Sequence, residues 1–141
     1  MRKNLLIQGP VTGNIITTLL GDMGRKTDSG AHSLFLGQVR ADEKDGKRVK
    51  AIEYTAYDAM VEAEAEKIKI SVLEVFDDVR SIEIFHSTGT VNAGEISLLV
   101  VVSAGHRKQA MEACSKTVEL IKERLPVWKK EVYEDNSHIW K

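Results

Sequence analysis

The stretch from residue 95 to residue 131, EISLLVVVSAGHRKQAMEACSKTVELIKERLPVWKKE, decides the fold of this chain. Its first part, Glu95 to Ser103, is strongly β-branched and is typical of a strand. A helix is predicted to begin near Arg107 and to end before Pro126, whose ring cannot continue it. Small or apolar residues share one stripe of that helix: Ala110, Ala113, Cys114, Thr117 and Ile121. The stretch therefore predicts a strand that leads directly into a packed helix.

Cationic side chains lie at both ends of the predicted helix. His106 and Arg107 stand at its N-terminus, where unpaired backbone N–H groups and the helix dipole favour a phosphate or a carboxylate. Lys122 falls in the last turn, where a cation is ordinary, whereas Lys129 lies beyond Pro126 and follows a tryptophan. The second cluster therefore needs an explanation other than the helix dipole.

The first third of the chain predicts a strand, a helix, a loop and a second strand. Residues Lys3 to Gln8 read as a short strand, and Pro10 suits the first position of a following helix. Residues 21–30 are predicted to connect this helix to a buried strand over Ala31 to Val39. The polar residues 41–48 that follow predict a mobile loop.

The middle of the chain alternates and then becomes helical. Val49 to Tyr57 has the period-two pattern of a half-exposed strand, and Asp58 is a suitable cap for the next helix. Apolar residues recur there at helical spacing: Val61, Ala65, Ile68, Val72 and Val75. Arg80 to His86 is predicted to pair with the strand ending at Ser103 as its antiparallel neighbour. This order of elements indicates an α+β fold with an antiparallel sheet and packed helices.

Length and composition favour a single domain over residues 1–141. A net charge of −1 with 29% charged residues disfavours bulk nucleic-acid binding, so any anion site must come from local clustering. Cys114 is the only cysteine, which excludes an intrachain disulfide and suits a reducing cytosol. No apolar run has the length of a signal peptide or a membrane span, so we expect a cytoplasmic protein without membrane contact.

Single residues and their spacing disfavour several kinds of catalytic chemistry. Cys114 falls on the apolar stripe of its helix and is predicted to be an inert core residue. The histidines His32, His86 and His138 have no companions at metal-ligand spacing, so no metal is expected. The glycines between residues 21 and 30 have neither dinucleotide-binding nor P-loop spacing, so no cofactor is expected either.

The cations remain, and their combination carries the functional hypothesis. A sheet-plus-helix domain can bring Arg40, the His106-Arg107 pair and the lysines from Lys122 to Lys130 to one anionic-ligand pocket. Lysines in such a pocket act as acid, base or nucleophile. Two alternatives stay open. One is a non-catalytic module that binds an anionic small molecule or a partner's tail, and the other is a structural oligomer subunit anchored by its tryptophans.

An ordered set of four motifs resembles the large, catalytic subunit of molybdopterin synthase. The matching segments are Gly37-Gln-Val-Arg40, Glu53-Tyr-Thr-Ala-Tyr57, Ser103-Ala-Gly-His-Arg107 and Lys122-Glu-Arg-Leu-Pro-Val-Trp-Lys-Lys-Glu131. They cover roughly residues 30 to 131, and their order and spacing make the resemblance specific although each motif alone is weak.

The resemblance implies a hammerhead-like α+β fold and a sulfur transfer. In this family cyclic pyranopterin monophosphate is converted into molybdopterin, which carries a dithiolene. The sulfur arrives as a C-terminal Gly-Gly thiocarboxylate on a small ubiquitin-like subunit. The large subunit forms a homodimer within a heterotetramer, and each pocket is built partly at the dimer interface.

The resemblance also implies roles for individual residues. Substrate-binding positions would be Gln38, Val39, Arg40, His106, Arg107, Lys122, Lys129, Lys130 and Glu131. Lys122 and Lys129 would be catalytic, with Lys122 nearest the thiocarboxylate carbon as general acid or base or as a stabiliser of the oxyanion. Neighbouring cations and partial burial against Trp128 would lower the pKa of such a lysine.

Overall fold

The computed structural model describes residues 5–141, which form eight strands and three helices. The strands are β1 (Leu6–Gln8), β2 (Ala31–Gln38), β3 (Glu43–Lys44), β4 (Lys47–Ala56), β5 (Val79–Asn92), β6 (Ile96–Ala104), β7 (Val127–Tyr133) and β8 (His138–Trp140). The helices are α1 (Gly13–Met23), α2 (Asp58–Val75) and α3 (Arg107–Arg124). No helix within the described range combines the length and the apolar character needed to cross a membrane.

The sheet runs in the order β2-β6-β5-β4-β7-β8, and its pairs along this order are antiparallel. β1 lies parallel to β5, and β3 pairs with β4. The long strand β5 joins the two halves of the sheet. It pairs with β6 as far as His86 and with β4 from Gly89, where the backbone adopts a φ of +79°. His86 therefore lies where the sheet passes from one half to the other.

Helices cover both faces of the central strands. α2 and α3 pack against one face through a core that includes Ile84 and Val102, whereas α1 covers the other face through contacts with Phe85 and Leu99. β6 is consequently buried on both faces, which explains its continuous apolar sequence. The predicted α+β class with an antiparallel sheet and packed helices is confirmed.

Truncation of a central β6 side chain should strongly destabilise the protein. Leu99 is completely buried between the central strands and α1, so we expect Leu99→Ala to lower the free energy of unfolding by about 2–5 kcal/mol. Leu20→Ala is the matched control, because Leu20 lies on α1 with 57% of its surface exposed. Urea unfolding of both variants measures the difference, and equal midpoints for the two would contradict this account of the core.

The predicted helix from Arg107 to Pro126 is confirmed as α3, and the residues on its stripe are buried, including Cys114. The antiparallel pairing of Arg80 to His86 with the strand ending at Ser103 is also confirmed. In α2, four of the five predicted stripe residues are buried, but Val75 is 73% exposed because it closes the helix. Asp58 is the first helical residue, and Tyr57 rather than Asp58 occupies the cap position.

The prediction for the N-terminal segment was partly wrong. The predicted strand begins at Leu6 in the described chain, and its positions 3 and 4 lie outside the described residues. Pro10 does not start the helix, because the Val11 N–H donates to the Ile96 carbonyl at 2.8 Å and delays α1 until Gly13. α1 then continues to Met23 and so occupies the first residues of the predicted loop.

Two further predictions failed around residue 40. The strand β2 is not fully buried, because it lies at the edge of the sheet, and Leu36 on its outer face is 44% exposed. The polar segment 41–48 is not only a loop, since β3 and the start of β4 form a hairpin there. Its two-residue turn consists of Asp45 and Gly46, both with positive φ, as a tight hairpin requires.

Candidate active site

A cavity of about 530 Å³ opens between the end of β2, the end of α3 and the facing strands β4 and β7. Six of the nine predicted site residues line it: Gln38, Val39, Arg40, Lys122, Lys129 and Glu131. The cations come from three separate elements, so only the folded chain brings them together. The cavity is thus the place where the predicted pocket residues meet.

The segment from Gln38, the last residue of β2, to Arg40 is held in place at the cavity by backbone hydrogen bonds. The pairing of β2 with β6 shifts register between Gly37 and Gln38, and beyond the shift the Val39 N–H donates to the Glu95 carbonyl at 3.0 Å. Val39 itself is buried, whereas the Arg40 side chain is 81% exposed and its Nε lies 3.3 Å from Asp42. Arg40 is therefore an exposed cation on a fixed backbone at the cavity.

Pro126 brings the two lysines to opposite sides of one cavity. Lys122 lies in the last turn of α3, the helix ends before Leu125, and β7 begins at Val127 and runs back along β4. Lys129 is the register partner of Tyr54, which also lines the cavity. The chain reversal at the proline therefore places a helix-borne lysine and a strand-borne lysine against the same space.

The alternation of β7 separates Lys130 from the other predicted residues. Lys129 and Glu131 lie on the strand face that lines the cavity, and Lys130 lies on the opposite face. Its Nζ pairs with Glu53 at 3.2 Å and lies 5.3 Å from the centre of the Trp140 ring. In this position Lys130 does not form part of the cavity wall.

The environment of Lys122 disfavours its charged form. Partial burial lowers the pKa of Lys122, and the nearby charge of Lys129 lowers it further. Trp128 was expected to supply the burial, but its ring meets Tyr57 edge-on at 6.1 Å and does not line the cavity. The apolar wall near the lysines consists instead of Leu125 and Val127, which line the cavity. At a given pH, more of Lys122 is therefore present as the neutral amine than for an ordinary lysine, and its side chain still reaches solvent.

Removing the charge of Lys129 should raise the pKa of Lys122. In Lys129→Gln a neighbouring positive charge is lost, so the ammonium form of Lys122 is favoured and its titration moves to higher pH. An NMR titration of the Lys122 side chain measures the shift. Lys130→Gln is the control, because Lys130 faces away from the cavity, and it should leave the Lys122 titration in place. A downward or absent shift in Lys129→Gln would contradict the proposed coupling.

Glu131 contributes a buried negative charge to the cavity wall. Its carboxylate is buried, accepts a hydrogen bond from the Tyr133 hydroxyl at 3.0 Å and lies 3.7 Å from Lys44 and 3.5 Å from Lys141. These three partners fix the carboxylate and tie the hairpin and the last residue to β7. Glu131 therefore acts first as a structural anion beside the lysines.

His106 and Arg107 lie at the other end of α3. Sixteen residues of helix place His106 about 24 Å from Lys122 along the axis. The Asp78 carboxylate accepts a hydrogen bond from the His106 backbone N–H at 2.8 Å and contacts its Nδ1 at 3.1 Å. Asp78 thereby caps the helix end that was predicted to hold an anion. Within one copy of the chain, this pair does not join the cavity.

His86 is a cavity residue that was not predicted from the sequence, where it stood only as a possible metal ligand. The residue lines the cavity and is 9% exposed. The ring meets Tyr54 edge-on at 5.2 Å, and the Tyr54 hydroxyl donates to Ser97 at 3.0 Å. A histidine at the end of an apolar strand was the available signal, but its position depends on β5 crossing from β6 to β4.

A larger groove of about 1170 Å³ lies between α1, α2 and β5. Two lysines, Lys26 and Lys69, line it. Lys26 is already engaged, with its Nζ 2.9 Å from the Ser81 hydroxyl and 3.7 Å from Glu83. Carboxylates from α2 share the groove, so it has no cationic character to match the first cavity. Across residues 5–141 no three His, Cys, Asp or Glu side chains are grouped to hold a metal ion.

The fold and the cavity define an α+β protein with paired lysines in a pocket beside its antiparallel sheet. The family model described as MoaE protein matches residues 13–124. The chain belongs to the MoaE protein family, which confirms the resemblance found in the motifs.

Curated relatives carry the name molybdopterin synthase catalytic subunit. The protein of Dictyostelium discoideum is 45% identical over 115 residues, which is 80% of this chain and 72% of that protein. The protein of Pyrococcus abyssi is 43% identical over 81% of this chain and 75% of its own length. The protein of Drosophila willistoni is 40% identical over 96% of this chain. The match spans only 36% of that Drosophila protein's length.

Solved structures share the whole fold. The molybdopterin synthase structure from Staphylococcus aureus has a TM-score of 0.83 at 30% identity and covers 100% of this chain and 98% of its own. A complex of subunits 1 and 2 of the molybdopterin-converting factor from Helicobacter pylori has a TM-score of 0.78 at 25% identity. The match covers 96% of this chain and 87% of the matched chain. The α+β arrangement is thus that of known members of the family.

Proposed function

We propose that this chain is the sulfur-transferring catalytic subunit of a molybdopterin synthase, acting on cyclic pyranopterin monophosphate in molybdenum cofactor biosynthesis. The names of its relatives support the proposal, and one observation of this structure carries it. Arg40 lines the same cavity as Lys122 and Lys129, although it is distant from both lysines in sequence. This arrangement offers positive charge for a phosphate-bearing substrate and, in Lys122, a lysine with a lowered pKa.

The sulfur donor is proposed to be a small ubiquitin-like subunit with a C-terminal Gly-Gly thiocarboxylate. The Helicobacter pylori complex of two subunits supports a partner of this kind. A glycine tail lacks side chains and extends by about 3.3 Å per residue, so it can enter a narrow cavity that bulkier residues cannot. Cys114 is buried in the core, so the sulfur is proposed to come from the partner and not from this chain.

Lys122 is proposed to act at the thiocarboxylate carbon. The thiocarboxylate sulfur displaces an oxygen substituent from a carbon of the substrate, so that a C–S bond forms as a C–O bond breaks and the oxygen leaves with the bonding electrons. The partner's tail is then held as a thioester, and water attacks its carbonyl carbon. The resulting oxyanion is stabilised by a nearby ammonium group, whereas a neutral amine removes the proton from the attacking water. Expulsion of the sulfur then leaves the thiolate on the pterin and a carboxylate on the partner. Lys129 and Arg40 are proposed to bind the negative charges of the pterin and its phosphate.

His106 and Arg107 are proposed to complete the pocket of a second copy. The length of α3 keeps them about 24 Å from Lys122 of their own copy, so a role in substrate binding requires a homodimer. In such a dimer each cavity receives the guanidinium of Arg107 from its neighbour. The complete assembly is then a homodimer flanked by two small subunits. A cytoplasmic location and a single domain over residues 1–141 remain predictions.

One incubation tests the proposal. Purified protein is mixed with cyclic pyranopterin monophosphate and thiocarboxylated partner, and dithiolene formation is measured. Partner ending in an ordinary carboxylate is the control, and it should give no product. A non-catalytic module would bind the partner's tail without forming dithiolene, and a structural subunit would not bind it. Absence of dithiolene with the competent partner would reject the proposed activity.

A further inference from the structure

The imidazole of His86 is a buried titratable group to which the proposed reaction gives no role. It lies on β5 at the wall of the cavity and is 9% exposed. Its backbone N–H donates to the Leu5 carbonyl at 2.8 Å, so the residue is fixed by β1 as well as by its own strand. A side chain held this firmly at the cavity can position what lies inside it.

The hydrogen bond of Nδ1 determines the state of the ring. Nδ1 lies 2.8 Å from the Ser87 carbonyl oxygen, and because a carbonyl only accepts, Nδ1 carries the proton. Burial lowers the pKa of His86, and the charges of Lys122 and Lys129 lower it further, outweighing the opposite effect of the Ser87 hydrogen bond. The ring is therefore neutral near pH 7, and its Nε2 presents a free lone pair.

Several other polar groups of the cavity wall already have partners within the protein, although the exposed Gln38 amide has none among the contacts of the described residues. Burial raises the pKa of Tyr54, so its hydroxyl keeps its proton and donates it to Ser97. The Glu131 carboxylate has Tyr133, Lys44 and Lys141 as partners. Asp42 is paired with Arg40. Once a substrate displaces water from the cavity, the lone pair of His86 is available to accept a hydrogen bond from a lysine ammonium group.

We propose that His86 is a positioning residue whose neutral Nε2 accepts a hydrogen bond from Lys122 and directs that side chain toward the partner's thiocarboxylate. This inference rests on the proposed sulfur transfer and adds a residue to it. A protonated ring could not accept the hydrogen bond and would repel Lys122 and Lys129. Sulfur transfer should therefore fall at acid pH as His86 gains its proton.

Three substitutions at His86 distinguish the effect of losing the hydrogen-bond acceptor from the effect of losing the volume of the ring. His86→Phe keeps an aromatic ring against Tyr54 but removes both nitrogens. His86→Asn keeps a donor near Nδ1 and loses the acceptor, whereas His86→Gln can place its amide oxygen near Nε2. We expect Phe and Asn to lower kcat by about 10- to 100-fold, the range for a lost hydrogen bond to a charged group. Gln should stay within about threefold of the original protein, since it retains such a bond.

The pH profile is the readout that a purely structural role would not change. Activity of the original protein should fall more steeply at acid pH than activity of His86→Gln, because an amide does not titrate in this range and only the protonation of Lys122 remains in the variant. Substrate KM should change little in all three variants. Thermal unfolding of each variant confirms that the compared proteins are folded.

The outcomes distinguish this inference from the function on which it rests. The role of His86 would be overturned if His86→Gln lowered kcat as much as His86→Phe, or if the loss of activity at acid pH were the same in His86→Gln as in the original protein. Sulfur transfer by the original protein would still stand in either case. The same holds if Phe and Asn are fully active and Lys122→Ala is not. An original protein that forms no dithiolene would end both proposals together. A fully active Lys122→Ala would overturn the roles of Lys122 and His86 and leave the sulfur transfer standing.

Discussion

Lys122→Ala is expected to lower the rate of dithiolene formation by about 100-fold or more, the usual contribution of a positioned acid or base. The lysine lines the cavity, has a lowered pKa and is proposed to act at the thiocarboxylate carbon. Alanine removes both the ammonium that would stabilise an oxyanion and the amine that would accept a proton. Binding of the partner should change less than the rate, because the tail contacts many groups along the cavity.

Lys116→Ala provides the matched control for this experiment. Lys116 lies on the same helix with an exposed side chain and does not line the cavity, so its loss removes the same charge without touching the site. Single-turnover product formation with saturating thiocarboxylated partner compares the two variants. Equal rates for Lys122→Ala and the original protein would show that the lysine has no chemical role. Equal losses in both variants would point to net charge instead.

The sequence predicted those parts of the fold that depend on local periodicity. The stripe of α3 and the β-branched run of β6 carry strong signals over many residues, and both elements lie where they were expected. The predictions for Pro10 and for residues 41–48 were wrong for a different reason. A single long-range hydrogen bond from the Val11 N–H to the Ile96 carbonyl delays the start of α1. The hairpin was not predicted because the strand before its turn has only two residues, which is too short to show a periodic pattern.

Some residues of the candidate site were predictable from the sequence and others were not. The convergence of Lys122 and Lys129 was predicted from the combination of cations along the chain and from the resemblance in the motifs. Lys130 and Glu131 were both assigned to substrate binding, although adjacent strand residues point to opposite faces, and only Glu131 lines the cavity. The position of His86 depends on which strands pair with each half of β5, and no local pattern records that pairing.

The separation of His106 from Lys122 has a consequence for assembly. A helix of 18 residues is rigid and about 27 Å long, so no rearrangement of loops brings its two ends to one ligand. Either Arg107 has no part in the reaction, or it serves the cavity of another copy. Mixtures of inactive variants distinguish these possibilities, because a shared pocket can be rebuilt from two damaged chains.

Mixed dimers of Lys122→Ala and Arg107→Ala are expected to recover activity that neither variant has alone. If Arg107 acts across a two-fold interface, each mixed dimer contains one pocket with both residues intact and one pocket lacking both. Random exchange then restores about a quarter of the original activity, since about half of the dimers are mixed and each has one working site. Dithiolene formation before and after subunit exchange measures the recovery.

The mixture of Lys122→Ala with Lys129→Ala is the control for subunit exchange. Lys122 and Lys129 line the same cavity of one copy, so every pocket in a mixed dimer lacks one of them and no activity should return. Recovery in this control would mean that the two lysines serve different pockets, against the geometry of α3 and β7. No recovery in the first mixture, with exchange verified by mass, would confine Arg107 to its own copy and remove it from the site.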